Sequence, residues 1–339
     1  MAPRDENGVM KAVAVTEGQF GGQPVLLTIR SAALNGNWQV EWNPPAAEAG
    51  ATPFVSPIAC VTLEKWQQAL TNTASLPAGL SGKVLLVRGA LSPDPSMFIA
   101  SLDGSQEQPI AFGNAAQAGP NGTIVYWDEN NHIKSYDPIN QKISALNLPT
   151  LPAAWSADGQ RIAYQNPDNP GSIIVMDANG KNRRQIPAGS GNVTVAGWMP
   201  DGQKLLITVN ETNKGDVIKL IDVSSGVAQI TLPTQRQTSI PALSPDGQWI
   251  AYTDKVIGKM APGIYITRLD GSERRLLVQL DTHWTTDPRW SPDGKWLSFS
   301  VPQDDFLHPR TIPTLVNLDS CQVVPLPWLK DEIRFWINP

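Results

Sequence analysis

Histidine and cysteine are scarce in this chain, with three and two residues among 339. The histidines are His132, His283 and His308, and none stands at ligand spacing from Cys60 or Cys321, so a structural zinc site built on the thiols is excluded. There is no Gly-x-Ser-x-Gly elbow, which removes an α/β-hydrolase domain from consideration. A phosphate-binding Gly-x-x-x-x-Gly-Lys loop, a Gly-x-Gly-x-x-Gly turn and a His-Glu-x-x-His pair are all missing as well. No stretch approaches the ~20 apolar residues that a membrane-spanning helix needs. The start, Met1-Ala-Pro-Arg-Asp-Glu-Asn-Gly, lacks the apolar core of a signal peptide. Either the protein is cytoplasmic, or a targeting segment is not part of this sequence. Positive charge is in deficit, 26 Lys and Arg against 31 Asp and Glu, and the net charge of −5 argues against nucleic acid or an anionic membrane as partner.

What the chain does have is glycine and proline, 27 and 30 residues, and they recur at corners. One corner reads Trp155-Ser-Ala-Asp-Gly-Gln, Trp198-Met-Pro-Asp-Gly-Gln, Leu243-Ser-Pro-Asp-Gly-Gln and Trp290-Ser-Pro-Asp-Gly-Lys, with weaker copies ending at Gly82 and Gly122. A second corner follows an apolar strand and opens on an aspartate: Asp103, Asp137, Asp177, Asp222, Asp270 and Asp319. In Ser-Pro-Asp-Gly, Ser takes position i of a type I turn, Pro brings its preset φ to i+1, and Gly supplies positive φ at i+3. A hairpin leaves such a turn through a bulge. Short runs rich in β-branched and aromatic residues follow, such as Arg161-Ile-Ala-Tyr164 and Trp249-Ile-Ala-Tyr252, and read as strands. The corner glycines at 82, 122, 159, 202, 247 and 294 are 40, 37, 43, 45 and 47 residues apart. Six copies of a four-stranded unit at that period predict an all-β, six-bladed β-propeller.

These repeats resemble the TolB-like propeller family, whose blades carry a Trp-Ser-Pro-Asp-Gly-Lys-x-Ile-Ala-Phe pattern. The match covers roughly residues 76–339, and the Gly-His…Trp-Asp signature of WD40 repeats is absent. The resemblance implies a non-catalytic binding scaffold for a protein or peptide, and a bacterial, extracytoplasmic home. It does not imply membership of the Tol system, because residues 1–75 do not look like the N-terminal domain of TolB. The motif specifies the fold, because its residues build the turn; it says little of function.

Two readings concern the ends of the chain. Before Lys83 the first blade has only a poor first strand, whereas Glu332-Ile-Arg-Phe-Trp-Ile-Asn-Pro339 looks like Asp287-Pro-Arg-Trp-Ser-Pro. The C-terminal strand is therefore expected to complete the N-terminal blade, closing the ring and protecting sheet edges. Residues 1–75 lie outside the repeat, with strands expected at Met10–Val15, Val25–Arg30 and Asn37–Trp42. The last two are joined by a turn at Asn35-Gly36. Leu63, Trp66 and Leu70 line one side of a short helix that Thr62 can cap. This region is either the remnant of a small α+β domain or an extra layer on the propeller. Cys60 and Cys321 are expected to be two separate thiols behaving as small hydrophobes. A bond between them would pin the N-terminal region to the last blade and require export.

Function is sought in what does not repeat. The corner aspartates 158, 201, 246 and 293 are explained by their turns, and the tryptophans 155, 198 and 290 by wedging between blades. Chain direction puts both kinds of tight corner on one end of the ring and the variable loops on the other, where binding residues usually gather. The densest chemistry there is His283, Trp284 and Asp287 with Asp305, His308 and Arg310, and Arg236 lies one blade earlier. Together an imidazole, carboxylates, an indole and guanidiniums suit recognition of a peptide or sugar by stacking and charged hydrogen bonds. The bland alternative is ordinary solvated loops. A metal held by His283, Asp287, Asp305 and His308 has the right ligand types without diagnostic spacing. No catalytic residue and no cofactor is expected. The favoured partner is a protein or peptide, with a glycan or small molecule at the central opening, or an enzyme site in the loop face, as alternatives.

Overall fold

The computed structural model describes residues 59–337, apart from 73–74, 89–95, 149–153, 212–214, 235–239, 255, 257–261, 281–286, 303–310 and 330, together with five short strands before residue 43. The chain divides into two compact units, Met1–Ser56 and Pro57–Pro339. The first unit holds a three-stranded antiparallel sheet, in the order Lys11–Ala12, Leu27–Ser31, Trp38–Trp42, and a small hairpin of Gln19–Phe20 with Gln23–Pro24. The sheet strands fall where the sequence places them. The turn at Asn35-Gly36 lies outside the described residues.

The second unit is a six-bladed propeller of four-stranded antiparallel blades. Blade 2 runs Asn114–Ala118, Ile124–Trp127, Ile133–Asp137, Lys142–Ala145, and blade 3 runs Ala154–Trp155, Arg161–Gln165, Ser172–Asp177, Arg184–Pro187. Blade 4 is Asn192–Trp198, Lys204–Glu211, Gly215–Asp222, Ala228–Pro233. Blade 5 is Ala242–Leu243, Trp249–Asp254, Gly263–Arg268, Arg275–Gln279, and blade 6 is Arg289–Trp290, Trp296–Pro302, Thr311–Asn317, Val323–Pro325. Blade 1 is closed as the sequence suggests. Ile333–Ile337 is its innermost strand, antiparallel to Lys83–Arg88, with Ser96–Ser101 and Glu107–Phe112 outside it.

Second and third strands are covered on both faces by neighbouring blades, so their apolar residues run on instead of alternating. Ile162, Ala163 and Tyr164 are all buried, as are Leu205, Leu206 and Ile207. Fourth strands form the rim, and Lys142–Ala145 and Arg184–Pro187 are accordingly mostly exposed. The first corner follows the expected chemistry. Gly159, Gly202, Gly247 and Gly294 sit at φ between +66° and +72°, a region that favours glycine. Each donates its N–H to the residue three back: to Ser156, Met199, Ser244 and Ser291 carbonyls at 2.8–2.9 Å.

The tryptophans do wedge between blades. Trp198 donates its indole N–H to the Ala154 carbonyl of blade 3 at 3.4 Å, and Trp290 donates to Ala242 of blade 5 at 3.0 Å. Trp336 on the closing strand reaches Ser298 Oγ of blade 6 at 3.3 Å. The second corner departs from expectation in blade 6. There Asn317 Oδ1, and not Asp319, accepts the turn N–H groups, from Asp319 at 3.1 Å and Ser320 at 2.9 Å. An Asn carbonyl can play the same local role as an Asp carboxylate, which is why the sequence pattern was ambiguous.

The cysteines are also not separate thiols. Cys60 and Cys321 form a disulfide across 261 residues of sequence, with Cα atoms 5.1 Å apart. What brings them together is a strap on the rim of the ring. Val61–Thr62 pairs in parallel with Arg275–Gln279 as a fifth strand of blade 5. The helix Leu63–Asn72 then packs on blade 6, with Trp66 only 3% exposed and its indole N–H given to Thr314 Oγ1 at 3.0 Å. Thr62 caps that helix as expected, its Oγ1 accepting from the Lys65 N–H at 3.3 Å.

Candidate functional site

Of the residues singled out at the loop end, Arg236, His283, Trp284, Asp305, His308 and Arg310 lie outside the described residues. Asp287 is described, and it opens onto a charged seam that sequence reasoning passed over. Innermost strands face the axis of a propeller, where a uniform ring would present the same chemistry six times. This ring does not. The innermost strands of blades 2 to 5, Asn114–Ala118, Ala154–Trp155, Asn192–Trp198 and Ala242–Leu243, contain no charged residue. In the adjoining blades 6 and 1 the entry to that strand reads Asp287-Pro-Arg289 and Glu332-Ile-Arg334.

These four side chains interact. Arg289 Nη2 lies 3.3 Å from Asp287 Oδ2, and its Nε donates to the Arg334 carbonyl at 2.9 Å, which joins the two strands. Arg334 Nη2 is 3.9 Å from Glu332 Oε2. Burial pushes the Glu332 carboxyl above the ordinary glutamate range; Arg334 and Arg289 oppose this, while the negative charge of Asp287 adds to it.

The seam continues outward along blade 1. Arg88, at the loop end of the second strand, donates Nε to Asp331 Oδ2 at 2.9 Å and makes a bidentate pair with Glu107, Nη1 to Oε1 and Nη2 to Oε2, both at 3.1 Å. Its guanidinium carbon lies 4.2 Å from the Phe98 ring centroid. The bond to Glu107 is the largest influence holding the Arg88 pKa above its usual value, and Asp331 assists. Such fork-to-carboxylate geometry is directional, so it fixes where the seam's charges point. One signal for these residues was present in the sequence: the likeness of Glu332-Ile-Arg to Asp287-Pro-Arg. In the sequence that likeness speaks for ring closure; the charge pairing arises only when the two strands lie side by side. Among the described residues no group of three or more His, Cys, Asp or Glu side chains could hold a metal.

The ring's architecture and its corners agree with what known proteins show. A family model described as the TolB beta propeller domain matches residues 124–308, slightly more than half of the chain. The chain belongs to the TolB β-propeller domain family. Among solved structures it is similar to TolB from Acinetobacter baumannii, at 20% identity and a TM-score of 0.62, covering 80% of this chain and 70% of that one. A structure from Agrobacterium tumefaciens described as a TolB is similar at 20% identity and a TM-score of 0.53, covering 75% and 92%. At that identity these structures speak to the fold. The corner aspartates are tied into their own turns: Asp158, Asp246 and Asp293 each accept from the corner Ser hydroxyl at 2.5 Å. No helix among the described residues is long and apolar enough to cross a membrane.

Proposed function

We propose that this TolB-family propeller is a non-catalytic scaffold that recognises a protein or peptide through the loop end of its ring. The surface is centred on the seam of blades 6 and 1. The observation that carries the reading is the confinement of charge to two of six innermost strands, Asp287 and Arg289 with Glu332 and Arg334. A repeat that served only the fold would have no reason to break its own pattern at one seam. Charges of both signs, held by two ion pairs and by the hydrogen bond from Arg289 to the Arg334 carbonyl, give an interface orientation and register more than raw affinity. Arg236, His283, Trp284, Asp305, His308 and Arg310 extend this surface in the proposal, adding an indole and imidazoles suited to a hot spot. The disulfide and the family likeness support an extracytoplasmic, bacterial setting.

One feature favours a second reading. The raised carboxyl of Glu332 near Asp287 is the kind of carboxyl pair that a glycan or small-molecule site at the central opening would use, with or without chemistry. Chemical crosslinking and affinity capture from native extract, with two variants as controls, separates the two readings. In one variant His283, Trp284, Asp305 and His308 become alanine; the other is Arg334→Glu. A protein retained by the parent and lost by both folded variants, with retention falling as salt rises, is the expected result. Retention unchanged in both would overturn the reading.

A further inference from the structure

The six-fold repeat lets one blade interface serve as a template for another, and the comparison exposes a groove. Between blades 3 and 4, at the tight-corner end, two arginines bridge the gap. Arg161 stands two residues after its corner glycine, lies 4.8 Å from the Trp198 ring centroid, and donates Nη2 to the Gly202 carbonyl at 2.5 Å. Arg184, opposite Val175 on the neighbouring strand, donates to the Ser224 carbonyl of blade 4. The interface is thus closed by two guanidiniums, one of them seated on an indole.

Between blades 5 and 6 both bridges are missing. Trp249 occupies the place of Arg161, and its ring is turned back under its own blade's Arg268 and Arg275, at 4.6 and 5.2 Å. Arg275 holds the register of Arg184, opposite Ile266. With neither arginine crossing, a groove of about 480 Å³ remains, floored by Trp290 and Ile266 and walled by Asp246, Asp293 and Asp319. A side chain built on Gly202 would meet Arg161 Nη2 at 2.9 Å, whereas on Gly294 the nearest atom is Pro245 Cδ at 3.8 Å. Among the described residues no cation lies over Trp290. The two corner carboxylates are held from one side only, Asp246 Oδ1 by Ser244 and Gln248, and Asp293 Oδ1 by Ser291 and Lys295. Among the described residues no hydrogen bond reaches their Oδ2 atoms. Arg275 and Lys295 also line the groove, so three carboxylates face two cations.

We propose that this groove is a binding site for an arginine side chain of a partner polypeptide, which would sit on Trp290 and bond the corner of blade 6 as Arg161 does at blade 4. The chemistry required is a planar guanidinium: indole beneath, carbonyl and carboxylate at the edge. The groove lies at the tight-corner end, away from the charged seam, so this inference does not rest on the function proposed above.

The test is an NMR titration of the indole N–H signals with acetyl-Gly-Arg-Gly-amide against the same peptide carrying citrulline, which keeps the shape and loses the charge. We expect Trp290 and Trp249 signals to shift with the arginine peptide, saturating in the millimolar range, and not with citrulline. Trp249→Arg, given the template at Arg161, should fill the groove with the protein's own guanidinium and abolish the shift. Asp319→Asn, an exposed change, should weaken binding about fivefold and melt like the parent, which keeps the test decisive if the first variant folds poorly. Equal shifts with citrulline, no shift with either peptide, or unchanged affinity in Asp319→Asn and Trp249→Arg would overturn the assignment.

Discussion

At the scale of residues, carboxylates in this ring titrate in opposite directions according to what surrounds them. Corner aspartates 103, 137, 158, 222, 246 and 270 are all held below the ordinary range, with hydrogen bonds from corner hydroxyls, amides or backbone N–H groups as the leading cause. Asp222 goes furthest, to about 2, because Ser224 and Ser225 both donate to it. A lowered folded pKa gives stability that is present above the ordinary value and lost as pH falls through the lowered one. Glu332 runs the other way. Its raised carboxyl contributes stability below the ordinary glutamate value that is lost as pH rises through the raised one. Glu332→Gln should therefore melt higher than the parent at neutral pH and alike at pH near 4, read by paired thermal melts. A variant that melts lower at neutral pH would show that Arg334 and Arg289 outweigh burial. The corner aspartates were legible from sequence because their role is local. The Glu332 carboxyl was not, because its environment is made by a strand of another blade.

At the scale of elements, the strap of residues 59–72 covers two edges at once. It adds a strand to blade 5 and lays a helix over the three-residue fourth strand of blade 6, Val323–Pro325. Covering an edge in this way blocks unwanted strand pairing. The helix and its cap could be read from Thr62, Leu63, Trp66 and Leu70. Its destination could not, because an apolar face names no partner. The disulfide stood in the sequence only as the alternative to separate thiols, because two cysteines 261 positions apart carry no pairing signal until the strap is seen. Closing so long a loop is worth about 5 kcal/mol in the chain-entropy picture. Reducing the bond, or replacing Cys321→Ser together with Cys60→Ser, should lower the melting temperature by about 10 °C. Identical melts with and without reductant would mean that Trp66 and the fifth strand hold the strap alone.

At the scale of the molecule, stability depends on a ring with no open seam. Ile333 and Trp336 of the closing strand are buried between the first and last blades, and Ile337 between the first and second. Deleting residues 332–339 exposes a second strand and empties a core made from both ends of the chain. Losses of this kind run to about 2–5 kcal/mol for each large apolar side chain. The truncated ring should melt lower by about 10 °C or more, or fail to fold, in a calorimetric scan. A deletion that melts like the parent would mean that closure is dispensable.

The sequence by itself determined the number of blades, the corners, the closing strand and the wedging tryptophans. Each rests on interactions repeated at a fixed spacing, and repetition makes a local rule visible without a structure. Only the tertiary structure decided where the ring breaks its symmetry. Charge gathers at the seam of blades 6 and 1, a strap and a disulfide bind blades 5 and 6, and one interface stays open where another is bridged by Arg161. Those features arise from contacts between residues tens to hundreds of positions apart, which the folded ring places side by side and the chain order does not.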